Sequence, residues 1–319
     1  MMGSLTPWQQ GIHDQVIASL QAGRLGHGLL FAGPAGIGKR AVALQLARHL
    51  LCQGEPAAAA RSAHLIDAGT HPDLQLVSFI PNKSGDKLRT EIVIEQIRQV
   101  SQKLALTPQY GQAQVVIIEP AEAINTAAAN ALLKTLEEPA PGRYVWLLCN
   151  EPARLPATIR SRCQRLEFRL PPHDQALAWL QQRGHGADTA AAALDAARGH
   201  PGLADEWLSG SGWALRGEVA ADLARLAAGK LGAAALATRW SGDEQLALRL
   251  RHAAELALEQ ARDCGLTAPA RLPKLAAWFD AANATANLLR TTVRADLALV
   301  ELLMGWPAAV AGLPKGTRQ

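Results

Sequence analysis

A chain of 319 residues is too long for one core of ordinary size, so two or three domains are expected. Hydrophobic residues at 49% against charged residues at 19% supply enough apolar surface to offset the entropy of ordering, which excludes a disordered chain. A net charge of +4 is too small to identify an acidic partner such as DNA.

No apolar run approaches the roughly 20 residues that span a bilayer, and the N-terminus lacks a basic region leading into an apolar core and cleavage site. No membrane partner is therefore expected, and the protein is expected to be cytoplasmic. Cys52, Cys149, Cys163 and Cys264 show no pairing pattern and read as buried or incidental thiols without a disulfide. Aromatics make up only 4%, and the Ala, Leu, Gln and Arg runs favour helix.

In chain order, the apolar run at 29–32 breaks into Gly33-Pro-Ala-Gly36-Ile-Gly38-Lys39, and an Ala/Leu-rich helical stretch follows through Leu51. That is strand, glycine loop, helix. The run at 115–118 is continuous and not alternating, as in a parallel strand covered on both faces, and ends at Glu119. Asn125 is placed to cap a helix carrying Ala129, Leu132, Leu133 and Leu136, which Pro139 stops. Strands at 144–149 and 165–170 complete an alternation that predicts one doubly wound α/β domain over 1–170.

After Pro171-Pro172 the strand signals cease. Amphipathic stretches at 175–183 and 189–198 precede Gly199-His200-Pro201-Gly202, so 171–209 is predicted as a small helical lid. Glycines 210 and 212 open an Ala/Leu/Arg region reaching about Met304, with breaks near Gly229, Gly242 and Pro269. Residues 210–319 are predicted as a helical bundle, with a frayed tail at 312–319.

The Gly33-x4-Gly38-Lys39 spacing, between a strand and a helix, is that of a P-loop, whose backbone N–H groups cradle phosphates. The next position should carry a hydroxyl for Mg²⁺, but it is Arg40, a cation with no lone pair. Two readings stand: ATP or ADP bound without hydrolysis, or a glycine turn that kept its shape and lost its ligand. Glu119 occupies the place of a metal-proximal acid, and Pro120 the place of a water-orienting one. Proline accepts no proton. Glu122 reads as a solvated acid at a helix entry, and Lys39 reads alternatively as a loop cation paired with Glu119. The polar, net basic loop at 81–89 could face a phosphate backbone, although such loops are commonly solvated turns.

Longer strings carry a resemblance. Asn130-Ala-Leu-Leu-Lys-Thr-Leu-Glu-Glu-Pro139 and Thr158-Ile-Arg-Ser-Arg-Cys163-Gln are accompanied by Pro7-Trp8, Arg24-Leu-Gly-His27 and Ala68-Gly-Thr-His-Pro-Asp-Leu74. Together they make 1–206 similar to the AAA+ subunits of bacterial replicative clamp loaders, the delta-prime type in particular. The resemblance implies an AAA+ domain on a P-loop NTPase-like parallel sheet, a helical lid, and an all-α C-terminal collar through which subunits assemble.

It further implies that Arg162 is an arginine finger reaching the ATP site of an adjoining subunit, and that Asn150 lies in the sensor 1 region. Gly202 falls where active relatives place a sensor 2 arginine, so Arg40, Pro120 and Gly202 all depart from a self-contained hydrolytic site. The implied partners are gamma or tau type ATPase subunits and a delta subunit, with the sliding clamp and primed DNA reached through the complex, as part of DNA polymerase III. Three rival readings remain at this point: an active AAA+ ATPase of the gamma/tau or helicase kind, a free-standing nucleotide-sensing or DNA-binding module, and Arg162 as an ordinary surface arginine at the end of the sheet. Relatives often carry a four-cysteine zinc module before the His-Pro-Asp-Leu string. Here only Cys52 stands there, and with the loop histidines His64 and His71 it does not complete a tetrahedral set, so zinc is not expected.

Overall fold

The computed structural model describes residues 4–82, 85, 88–264, 269–289 and 293–311. Part of the basic loop expected at 81–89, including Lys83 and Lys87, lies outside the described residues, as does the tail at 312–319. The chain forms two compact units. The first holds the described residues through Gly184 together with Arg198–Leu203, and the second holds His185–Ala197 and those from Ala204 onward. The stretch expected as a separate lid, 171–209, is thus shared between the two.

The first unit is built on five strands, β1 (Gly28–Ala32), β2 (Leu74–Val77), β3 (Gln114–Ile118), β4 (Arg143–Cys149) and β5 (Gln164–Glu167). All pairings are parallel, in the order β2-β3-β4-β1-β5. Helices α1 (Pro7–Gln21), α2 (Lys39–Leu51), α3 (Pro56–Asp67), α4 (Ile94–Leu104), α5 (Thr126–Glu137), α6 (Ala157–Arg160) and α7 (His173–Gln182) complete it.

The continuous apolar runs of β1, β3 and β4 follow from a sheet covered on both faces. Alternate residues feed different cores: Leu30, Val116, Val145 and Leu147 pack with Ile97, Val100 and Leu132 of α4 and α5. Leu29, Phe31, Ile117 and Trp146 pack with Val16, Val42 and Leu46 of α1 and α2. α5 starts as the sequence indicates, with the Ala128 amide donating to Asn125 Oδ1 at 2.9 Å.

Several elements were not anticipated, among them α1, α4 and α6, and two bear on earlier readings. β2 is a four-residue edge strand with Leu76 45% exposed, too short and too mixed to give a periodic signal. α3 begins with Pro56 at its first turn and runs through an alanine stretch, so His64, expected in a loop, is helical. His71 is buried, its Nδ1 accepting from the Asp73 amide at 3.1 Å.

The second unit is all helical: α8 (Ala187–Ala196), the end of α9 (Pro201–Ser209), α10 (Gly212–Ala227), α11 (Ala233–Ser241), α12 (Leu246–Cys264), α13 (Leu272–Leu288) and α14 (Ala295–Val310). Its core centres on Trp240, Trp278 and Trp306. The indole N–H of each of these three has an acceptor: Asp222 Oδ2 at 3.0 Å for Trp240, Leu302 O at 2.9 Å for Trp278 and Leu223 O at 3.0 Å for Trp306. Among the described residues no helix is long and apolar enough to cross a membrane.

Candidate functional site

Parallel pairing aligns the C-terminal ends of β1, β3 and β4, with Ala32 opposite Cys149 and Ile118 opposite Leu147. The loops that leave these ends therefore converge, which is where ligands bind in sheets of this kind. They bring Gly33, Gly36, Gly38, Lys39, Arg40, Glu119 and Asn150 into one cluster.

The loop is held tightly. Gly38 has φ 93°, and a Cβ there would overlap the Gln9 amide, whose Nε2 donates to Ile37 O at 3.1 Å.

Lys39 is 4% exposed, and its ammonium has three protons to donate. All three have acceptors: Gly33 O at 2.7 Å, Pro34 O at 2.5 Å and Asn150 Oδ1 at 2.7 Å. Burial pushes the lysine's pKa down, opposed by the nearby Glu122 and Glu119 carboxylates. The expected alternative of a Lys39–Glu119 pair is not what forms, because Glu119 Oε2 lies 3.1 Å from Arg40 Nη1. Arg40 so places a guanidinium against the carboxylate that a hydrolytic site would turn toward Mg²⁺. A magnesium ion does not fit this donor set, since the hydroxyl is missing and a cation already faces the acid.

Glu122 corrects another expectation. It is not a solvated helix-entry acid: its carboxylate accepts from Asn150 Nδ2 at 2.8 Å and from the Asn150 amide at 3.2 Å. Glu122 orients Asn150, and Asn150 in turn engages Lys39. The charges of Lys39 and Arg40 are matched by those of Glu119 and Glu122, leaving no formal surplus to draw an anion.

Arg198–Leu203 closes on the loop from outside. His200 Nδ1 accepts from the Leu203 amide at 3.0 Å, so its proton is on Nε2, which donates to Ala35 O at 2.5 Å. A Cβ at Gly202 would overlap Gly36 O. A sensor 2 arginine has no room there.

Arg162 stands elsewhere. It precedes β5, which runs parallel to β1 with Gln164 opposite Leu29, so it lies at the N-terminal ends of the strands. The P-loop leaves their C-terminal ends, about 16 Å away along a five-residue strand. Arg162 Nη1 donates to Thr158 O at 2.8 Å and Ser161 Oγ at 3.4 Å, and Nη2 lies 2.7 Å from Glu137 Oε1. No contact joins it to the P-loop cluster among the described residues.

Among the described residues no group of three histidine, cysteine or acidic side chains could hold a metal ion. All four cysteines carry free thiols, and burial pushes the pKa of Cys149 up to about 12 and that of Cys163 up to about 11. Glu122, close to Cys149, adds to its shift.

A glycine loop between β1 and α2, carboxylates after β3 and an asparagine after β4 define the class of protein: an AAA+ type P-loop fold, with a degenerate magnesium position. The family described as "DNA polymerase III, delta subunit" matches residues 8–172, just over half of the chain, and the chain belongs to that family. The DNA polymerase III subunit delta' of Escherichia coli strain K12 is 38% identical over 216 residues, covering 66% of this chain and 63% of that protein. The subunit of the same name from Pseudomonas aeruginosa is 40% identical over 183 residues, covering 56% and 53%. DNA polymerase III subunit tau of Bacillus subtilis is 31% identical over 166 residues, 50% of this chain and 28% of tau. The matches thus span less than two thirds of the length of these relatives.

Proposed function

We propose that this chain is the delta-prime subunit of a DNA polymerase III clamp loader, a member that does not hydrolyse ATP itself and lends Arg162 to the ATP site of an adjoining subunit. One observation carries the reading: Arg162 lies at the opposite end of the sheet from its own P-loop, so any nucleotide its guanidinium serves would have to be held by another chain. A planar cation with five donors suits the charge that develops on a phosphoryl group in transfer.

Relatedness to the gamma and tau subunits supports a clamp loader complex. Within it the proposed partners are the gamma or tau subunits, which would hydrolyse the ATP, and a delta subunit. Through the complex this chain would help open the sliding clamp and place it on primed DNA in the cytoplasm. Whatever ATP or ADP its own P-loop takes up is not hydrolysed, because Arg40 replaces the magnesium hydroxyl, Pro120 supplies no base, and Gly202 replaces the sensor 2 arginine. The chain is proposed to need no zinc.

The test is ATP turnover by the isolated, pure chain. Background turnover is the expected result, and turnover at the rate of a motor subunit would favour the rival, an active ATPase of the gamma/tau or helicase kind.

A further inference from the structure

Arg162 sits in the short link between α6 and β5, and two fixed points hold its side chain. One is the backbone carbonyl of Thr158, which accepts from Nη1 at 2.8 Å. The other is Glu137, the last residue of α5, whose Oε1 lies 2.7 Å from Nη2.

The end of α5 is itself a firm anchor. Leu136 is 2% exposed in the core, and its carbonyl lies 2.7 Å from His27 Nε2. At Gly28 the first residue of β1, the Leu136 side chain and the Arg162 carbonyl meet so closely that a Cβ would stand 3.1 Å and 3.2 Å from the latter two. Glu137 therefore projects from a residue packed, across Gly28, against the Arg162 backbone.

We propose that Glu137 is a positioning residue for Arg162: it holds the guanidinium at the surface in one orientation, ready for a phosphoryl group on an adjoining subunit. An arginine side chain free in water samples many rotamers, and ordering it costs entropy that would otherwise be lost when the nucleotide is engaged. Anchoring at Nη1 and Nη2 removes much of that freedom in advance.

Among the described residues no acceptor takes the Nε–H, and the side chain is 36% exposed, so a donor and a face remain for an incoming oxygen. The bland account, an exposed ion pair that only tethers a loop, predicts no effect on the neighbour's catalysis. This inference rests on the proposal above that Arg162 acts in trans.

The experiment is a double-mutant cycle in the assembled loader with its hydrolysing subunits, reading DNA-stimulated ATP hydrolysis as kcat and KM separately. The forms compared are unaltered, Glu137→Ala, Arg162→Ala and the double variant, with Glu137→Gln as the milder change. At the adjoining site Glu137→Ala should lower kcat by about threefold to tenfold, within the range of couplings between touching residues, and leave KM for ATP unchanged. Glu137→Gln, which keeps an acceptor oxygen, should lose less. In the Arg162→Ala background the Glu137 change should have no further effect.

Equal losses from Glu137→Ala in both backgrounds, faster hydrolysis, or no change while Arg162→Ala slows the complex would each overturn the positioning role and leave the trans-acting arginine standing. A silent Arg162→Ala would remove both.

Discussion

Arg40 and Arg162 each stand beside a glutamate, at opposite ends of one sheet, with different consequences. At the C-terminal end Arg40 pairs with Glu119, Lys39 spends its three protons on Gly33, Pro34 and Asn150, and His200 and Gly202 press on the loop. Lys39 is buried while the Arg40–Glu119 pair stays at the surface, and the formal charges of Lys39, Arg40, Glu119 and Glu122 cancel. At the N-terminal end the Glu137 contact leaves Arg162 partly exposed, its Nε–H without an acceptor among the described residues. An ion pair's value thus depends on its surroundings: the first sets a cation against the acid that would face magnesium, and the second is proposed to hold a guanidinium for a neighbouring subunit.

The comparison can be broken most forcefully at Gly202. Gly202→Arg, which would rebuild a sensor 2 residue, should instead cost about 2–3 kcal/mol of stability, because its side chain must start inside the Gly36 carbonyl. Chemical denaturation measures this. An equally stable variant would mean that the loop has space for a catalytic arginine.

Alkaline pH probes the walls of both ends, since Cys149 lies at the end of β4 toward the P-loop and Cys163 follows Arg162. Their thiols are raised from an ordinary 9.0 to about 12 and about 11. The folded state therefore favours the neutral thiol. That contribution is whole below pH 9 and is lost as pH rises from there through 11 and toward 12, because the unfolded chain ionises first. The loss should be on the order of 1 kcal/mol for each thiol by pH 10, about 2–3 kcal/mol for the two, seen as a falling melting temperature, and smaller in a Cys149→Ala, Cys163→Ala variant. The same slope in that variant would assign the loss to other groups.

The mildest change sharpens the inward end. Arg40→Ser restores a hydroxyl and frees Glu119, at a stability cost below about 1 kcal/mol for so exposed a pair. ATP turnover by the pure chain should remain at background because Pro120 and Gly202 are unchanged. Turnover in this variant would make Arg40 the sole block.

How much was legible follows from where each signal lies. β1, β3 and β4 are continuous apolar runs because both faces are covered, so they stand out in the chain. β2 pairs on one side only and mixes Gln75 among its leucines, and it gives no such run. Lys39, Arg40, Glu119 and Asn150 were readable as a group because each lies just beyond a strand end and the strands are parallel.

Glu122, His200 and Glu137 were not, since their roles come from partners brought close only by folding: Asn150, 28 positions away, Ala35, 165 positions away, and Arg162. A Gly-His-Pro-Gly string announces a turn, and nothing in it says that the turn lands on the P-loop.

The central claim is that this chain contributes one arginine outward and no catalysis of its own. It is tested most directly by DNA- and clamp-stimulated ATP hydrolysis in a reconstituted loader carrying either Arg162→Ala or Lys39→Ala. A trans-acting arginine is worth about 10³–10⁵ in rate at the site it serves, so Arg162→Ala should silence the adjoining site and lower the total partially, in a complex that still assembles. Lys39→Ala should change the total by less than about tenfold, the equivalent of 1.4 kcal/mol in the barrier. A normal rate with Arg162→Ala, or a larger loss with Lys39→Ala than with Arg162→Ala, would contradict the account.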